Sequence, residues 1–251
     1  MKRNVFLLIG GVVPLIGLLI YGCGGQASNA TTVLPETNYY EISTPLGRMV
    51  IRLYDETPGH RDNFKKLVAE QFYDSTLFHR VISGFMIQGG DPNSRDDDPA
   101  NDGVGGPGYT LPAEILPGAF HKRGVLSAAR QPDRINPERQ SSGSQFYIVH
   151  GTIYPDDYLS QMEGSLKQQI PDPAFAFSEE ARRAYTTEGG APNLDGMYTV
   201  FGELVEGYDV LDDITRVATP SRLGQRSGRG GGDRPIVPVW MVVRPLPEYQ
   251  K

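Results

Sequence analysis

A single cysteine, Cys23, and a single tryptophan, Trp240, stand among 251 residues. Without a second thiol no disulfide can form within one chain, so the fold must be held by its apolar core. The histidines number only four, His60, His79, His121 and His150, and their spacing fits no metal-ligand pattern. No Gly-x-Ser-x-Gly elbow is present, which leaves nucleophilic catalysis without an evident agent. A basic surplus is missing too: 24 Lys and Arg face 30 Asp and Glu, for a net charge of −6. An acidic surface repels phosphate backbones, so nucleic acid is not an expected partner. The Arg-rich stretch 222–234 is diluted by glycine and by Asp233 and reads as a solvated loop. Long apolar runs are scarce. Val5–Ile20 falls short of the ~20 residues of a spanning helix, and Gly10, Gly11, Pro14 and Gly17 interrupt it.

That short run has a context of its own. Lys2 and Arg3 precede it, and Ile20-Tyr21-Gly22-Cys23 closes it. A basic start, a short apolar stretch and a small residue at the cleavage point describe an export signal. The pattern resembles the lipobox of bacterial lipoproteins, with Tyr21 bulkier than is usual there. It implies a signal peptide over residues 1–22, lipidation of Cys23, and a small, polar, flexible tether over 23–37. The expected location is the bacterial cell envelope, lipid-anchored on the non-cytoplasmic side and facing the periplasm if the cell is Gram-negative. An ordinary signal peptide with an incidental cysteine is the alternative.

From Tyr39 the pattern turns to short strands. Thirty glycines and 20 prolines call for many turns and little long helix. Tyr40–Thr44 and Arg48–Tyr54 alternate around Pro45-Leu46-Gly47, which predicts a hairpin. Thr57 and Pro58 suit the N-cap and first residue of a helix whose buried face carries Phe64, Leu67 and Val68. Further strands are expected at 76–82, 85–89, 125–130, 145–149, 198–204 and 237–243. Two helices and about eight strands make a mainly β domain over 38–248, a closed antiparallel eight-stranded barrel capped by helices. Residues 151–192 break the rhythm with helical stretches at 159–170 and 178–185, and read as a partly helical insertion.

Two motifs invite over-reading. Gly103-Val104-Gly105-Gly106-Pro107-Gly108 matches G-x-G-x-x-G, yet it follows no clear strand and Pro107 and Pro112 block a helix, so no dinucleotide site is expected. Asp91–Asp102 is acid-rich, but Arg95 stands where a calcium loop wants its third ligand, which favours a solvated turn. Neither a metal nor a cofactor is expected.

What remains is a series of ordered segments: Phe78-His79-Arg80-Val81-Ile82, then Gly84-Phe85-Met86-Ile87-Gln88-Gly89-Gly90-Asp91, then Gly143-Ser144-Gln145-Phe146-Tyr147-Ile148. Leu194-Asp195-Gly196 and Tyr198-Thr199-Val200-Phe201-Gly202 complete it, supported by Asn63-Phe64 and Gly124-Val125-Leu126-Ser127-Ala128-Ala129. Over roughly Tyr39–Val243, the insertion apart, the chain resembles the cyclophilin-type peptidyl-prolyl cis/trans isomerases. By that resemblance Arg80 is the catalytic donor and Gln88 orients it. Phe85, Met86, Tyr147 and Leu194 match the proline pocket, with Ala129, Arg130, Gln145 and Tyr198 as further substrate contacts. Phe146 alternates with Tyr147 and should point into the barrel; His79 alternates with Arg80 and should be structural.

Four positions depart from the family's habit. Tyr147 stands where phenylalanine is frequent, Asn193 where eukaryotic members often have tryptophan, Tyr198 where histidine is common, and Arg130 where asparagine is common. Arg130 is expected to add charge at the rim. No residue of the insertion matches a catalytic position, so reactions of short peptides should not depend on it. The implied function is isomerisation of X–Pro bonds in unfolded or partly folded exported polypeptides. A non-catalytic proline-peptide-binding chaperone or assembly lipoprotein on the same fold is the alternative.

Overall fold

The computed structural model describes residues 36–249 except 171, 173 and 227–230; the expected signal peptide, Cys23 and all but the end of the tether lie outside the described residues. Strands β1 (Tyr39–Thr44) and β2 (Gly47–Leu53) form the expected hairpin, with Thr44 paired to Gly47 across the Pro45-Leu46 loop. Period-two alternation buries Tyr40 and Ile42 on β1 and Met49, Ile51 and Leu53 on β2. Helix α1 (Pro58–Ala69) follows and buries Phe64, Leu67 and Val68 as its spacing predicts. Thr57 does occupy the N-cap, but its hydroxyl makes no capping bond. The carboxylate of Glu114 takes that role, accepting from the backbone N–H of Gly59 at 3.0 Å and of His60 at 2.9 Å. A carboxylate suits the positive end of the helix dipole.

The remaining strands are β3 (Arg80–Ile82), β4 (Met86–Gly89), β5 (Thr110–Leu111), β6 (Val125–Ala128), β7 (Ser141–Ser142), β8 (Phe146–Val149), β9 (Val200–Glu206) and β10 (Val242–Pro245). Eight of them form one antiparallel sheet in the order β10-β1-β2-β9-β6-β8-β4-β3, while β5 and β7 pair separately. This corrects the closed barrel expected from sequence: the sheet is an open half-barrel. Among the described residues a single bridge, Leu77 to Trp240, joins its two ends, with isolated bonds such as Met241 N–H to Thr76 O at 2.9 Å and Phe78 N–H to Val239 O at 2.9 Å. Pro235 and Pro238 supply no N–H in the approaching segment, and β3 is only three residues long, which reduces the bonds available there.

The second helix of the half-barrel is α4 (Tyr208–Arg216), whose place the sequence pattern leaves open; it buries Val210, Leu211 and Ile214. Its side chains join Phe64, Tyr73, Phe78 and Phe146 in the main core. Phe146 points inward as expected, edge-on to Phe64 with ring centroids 5.9 Å apart.

The insertion carries helices α2 (Asp156–Leu166) and α3 (Glu179–Thr187) around an apolar cluster of its own, Leu159, Leu166, Phe177, Ala181 and Tyr185. Its two roots are joined. Thr152 and Gly190 exchange backbone hydrogen bonds of 3.1 and 3.0 Å, and Ala191 N–H reaches His121 O at 2.8 Å. Among the described residues no helix is long and apolar enough to cross a membrane.

The joined roots leave no room for a side chain at position 190. A Cβ on Gly190 would lie 2.4 Å from His121 O and 2.4 Å from Tyr185 Cε1. Gly190→Ala is therefore expected to destabilise the protein by about 1–3 kcal/mol, the usual cost of overpacking. Urea unfolding monitored by circular dichroism measures it; a midpoint equal to wild type would contradict the reading.

Candidate functional site

The antiparallel register of β3 and β4 sets Arg80 opposite Gln88, so both side chains emerge on one face. Arg80 Nη1 donates to Gln88 Oε1 at 3.3 Å. Gln88 Nε2 donates to Gln145 Oε1 at 3.1 Å, and Gln145 Nε2 donates to Gly105 O at 2.8 Å and to Asp91 Oδ2 at 3.4 Å. Each amide accepts from one neighbour and donates to the next, so the chain has a single direction ending on buried Asp91. Arg80 is also approached by Asp233, with Nε 3.7 Å from the carboxylate. No sequence signal points to Asp233, because it comes from the Arg-rich loop at the far side of the chain.

Beside the guanidinium lies a cleft of about 190 Å³ lined by Phe85, Met86, Gln88, Ala129, Arg130, Tyr147, Leu194 and Tyr198 together with Arg80. Nine of the ten site residues expected from sequence thus meet around one space. Gln145, the tenth, opens on the adjoining larger cleft of about 760 Å³, which shares Gln88, Ala129 and Arg130 with the first. Met86, Tyr147 and Leu194 are buried, and Phe85 and Tyr198 pack half-buried against them. Apolar side chains wall one part of the cleft, and Arg80, Gln88, Arg130 and Gln131 make the rest polar.

The glycine-rich segment has a use that motif reading misses: it walls the larger cleft. A Cβ on Gly105 would stand 2.1 Å from Asp91 Oδ1, so only glycine lets this backbone bring its N–H to Asp91 Oδ2 at 3.1 Å. Asp91 itself is wholly buried, which corrects the expectation of a solvated turn at its first residue.

The charge expected at the rim from Arg130 is not free. Its side chain is 3% exposed and donates from Nη1 to Asp133 at 2.5 Å. Nε donates to Met197 O at 3.0 Å, and the guanidinium carbon lies 4.4 Å from the centroid of Tyr198. A neutralised, stacked arginine therefore backs the cleft wall. Among the described residues the N–H and C=O of Arg130 make no backbone hydrogen bond. Asn193 is exposed and does not line the cleft. His79 is buried, and burial pushes its pKa down to about 4, so it is neutral at physiological pH as a structural residue should be.

Residues 39–227 match the family described as cyclophilin type peptidyl-prolyl cis-trans isomerase/CLD. A relative from Staphylococcus epidermidis that carries the name peptidyl-prolyl cis-trans isomerase is 34% identical over 203 residues, covering 79% of this chain and 86% of its own. A relative of the same name from Staphylococcus aureus is 36% identical over 178 residues, 69% of this chain and 78% of its own. Among solved structures, a cyclophilin type peptidyl-prolyl cis-trans isomerase of Cryptosporidium parvum shares the fold with a TM-score of 0.57 at 24% identity, over 84% of this chain and 100% of that one. A second crystal structure of that protein, in the presence of the dipeptide Ala-Pro, aligns with a TM-score of 0.54, 24% identity, and 83% and 99% coverage. With the family matched over most of the chain and relatives above 30% identity, the chain belongs to the cyclophilin-type peptidyl-prolyl cis-trans isomerases.

Proposed function

We propose that this isomerase is held by lipid on Cys23 at the non-cytoplasmic face of a bacterial membrane and acts there on X–Pro bonds of exported, partly folded polypeptides. Arg80 is its catalytic donor, Gln88 holds that donor, and the small cleft takes the proline ring. The observation that carries the reading is the Arg80–Gln88 pair, 3.3 Å apart, at the edge of a cleft that also presents Phe85, Met86, Tyr147 and Leu194.

The chemistry asked of such a site is modest. Rotation about a peptide bond faces ~18–20 kcal/mol because the nitrogen lone pair is shared with the carbonyl. For X–Pro both isomers are populated within ~1 kcal/mol, and only the exchange is slow. A donor aimed at the proline nitrogen favours the twisted geometry, in which the lone pair returns to nitrogen. Arginine suits this because it stays charged and presents a rigid fork of N–H groups. Phe85, Met86, Tyr147 and Leu194 suit a pyrrolidine ring, and the backbone N–H and C=O of Arg130 suit the flanking backbone. Gln145 braces Gln88 on the side that the preceding residues of the substrate would occupy. The Ala-Pro dipeptide in whose presence the Cryptosporidium protein was crystallised is of this size and kind.

Arg80→Ala should fold and lose about 10²–10³ in turnover, the usual cost of one preorganised donor. A protease-coupled isomerisation assay on an X–Pro tetrapeptide measures this. Near-wild-type turnover in the folded variant would remove Arg80 from its role. Tetrapeptide binding with no turnover in the wild type would instead favour a proline-binding chaperone.

Anchoring rests on Lys2, Arg3, the apolar run Val5–Ile20 and the small residue before Cys23. Acyl chains on a mature lipoprotein, being more than one, give stable membrane attachment. Wild type is expected in the membrane fraction and Cys23→Ser unprocessed or soluble. Mass spectrometry that finds a free Cys23 thiol on the mature protein would refute the anchor.

A further inference from the structure

The insertion sends one polar side chain into the region beneath the cleft. Tyr185 on α3 is wholly buried, and its hydroxyl donates to Asp195 Oδ2 at 2.7 Å. Asp195, 2% exposed, uses its other oxygen to accept from His121 Nδ1 at 2.8 Å and from the His121 backbone N–H at 2.8 Å. That same N–H lies 2.9 Å from the Tyr185 hydroxyl oxygen. On the far side of the imidazole, Nε2 lies 3.1 Å from the Tyr147 hydroxyl and 3.2 Å from Ser127 Oγ.

These contacts link the side chains into one hydrogen-bonded series. Nδ1 faces a carboxylate and carries hydrogen, and Nε2 faces the two hydroxyls on the other side. Ser127 has one hydroxyl proton, and it goes to Thr199 O at 2.7 Å. The Tyr147 hydroxyl and Nε2 share the remaining bond. Burial raises the pKa of both Tyr147 and Tyr185, which keeps both phenols protonated. The result is a closed series running from Tyr147 through His121 to Asp195, with Tyr185 donating from the opposite end.

We infer that Tyr185 is a positioning residue for the proline cleft, holding Asp195 and, through Asp195 and His121, setting the ring of Tyr147. The inference rests on the assignment of that cleft to the proline ring. Three walls depend on the series. Asp195 directly follows Leu194, so its anchoring holds the Leu194 side chain in place. His121 stacks on Tyr147 with centroids 6.2 Å apart and planes 14° apart. Tyr198 stands edge-on to both rings, at 6.4 Å from His121 and 6.1 Å from Tyr147. Loss of the Tyr185 hydroxyl leaves one oxygen of a buried carboxylate without its donor, and the carboxylate then turns toward another. That turn draws His121 and Leu194 with it. Sequence matching found no catalytic counterpart in the insertion and suggested that short peptides would be indifferent to it. Tyr185 instead connects the insertion to the cleft where even a tetrapeptide is bound.

Tyr185→Phe, Tyr147→Phe and the double variant of the full-length protein test this on an X–Pro tetrapeptide, beside Arg80→Ala. Tyr185→Phe should raise KM about five-fold, the scale of one net buried hydrogen bond, with kcat within about two-fold of wild type. Tyr147→Phe should act in the same sense, and the double variant should be no worse than the poorer single one, because both changes cut the same series. Lower melting temperatures with KM unchanged in the single variants would make the series purely structural and overturn the inference. Fully additive rises in KM would overturn it as well. If Tyr185→Phe does not fold, KM of Tyr147→Phe decides by itself: a rise supports the series and an unchanged value rejects it. Full activity in Arg80→Ala would undo the cleft assignment, whereas loss of activity there with unchanged KM in Tyr185→Phe overturns only the present inference.

Discussion

The buried carboxylate of Asp91 is the fixed point of the site. It stands at the end of the turn after β4 and accepts from the N–H groups of Asn93 and Gly105 at 2.8 and 3.1 Å. Its bond with Gln145 gives the amide series an end that cannot rotate, and the direction of Gln145, Gln88 and Arg80 follows from it. A charged arginine at a cleft edge would otherwise sample many rotamers at a considerable entropic cost. For the donor role proposed for Arg80, preorganising it in the folded state would remove that cost from the reaction. The same carboxylate demands a glycine at 105, since any Cβ there would collide with it. One buried anion thus ties together β4, β8 and the glycine-rich wall of the larger cleft.

Sequence made the local structure legible wherever a period or a turn residue carried it. The hairpin of β1 and β2 and the buried face of α1 follow from spacing alone, and Phe146 faces the core by alternation. Site residues were legible only through the joint pattern of segments, because Phe85, Met86 or Leu194 alone reads as ordinary core. What escaped was long-range and polar. Glu114 caps α1 from a separate loop, which no local capping signature shows. The half-barrel stays open because its two ends meet in isolated bonds and not in a ladder, and strand counting does not register that. Asp233 reaches Arg80 from a loop whose composition suggested only solvation, and Asp133 bonds Arg130 from a loop that no sequence signal singled out.

The departures at Arg130 and Tyr147 take a different meaning once their partners are known. An arginine in place of a small amide would seem to charge the rim. Its bond to Asp133 and its stacking on Tyr198 convert it instead into part of the wall, with the long side chain serving as packing. A tyrosine in place of phenylalanine would seem to wet the pocket. Its hydroxyl faces His121, so the cleft is offered the ring and the polar atom is spent beneath it. In both cases burial with a partner removes the cost that an unpaired polar group would carry.

Strand β8 and the residue before it explain how two separate polar series serve one cleft. Gln145 and Tyr147 are two positions apart and so project to the same side of the sheet. Gln145 belongs to the series that ends on Asp91 and holds Arg80; Tyr147 belongs to the series that ends on Asp195 and Tyr185. Phe146, between them, projects to the other side and is clamped by Phe64, Tyr73 and Phe78 at centroid distances of 5.9, 5.7 and 6.4 Å. The aromatic clamp fixes the strand in depth and rotation, and the two series can then set the donor edge and the apolar floor independently of each other. An alteration in the insertion should accordingly be felt at the floor while leaving the arginine in place. That division follows from the two-residue period of a strand acting on a polar-apolar-polar triplet, Gln145-Phe146-Tyr147.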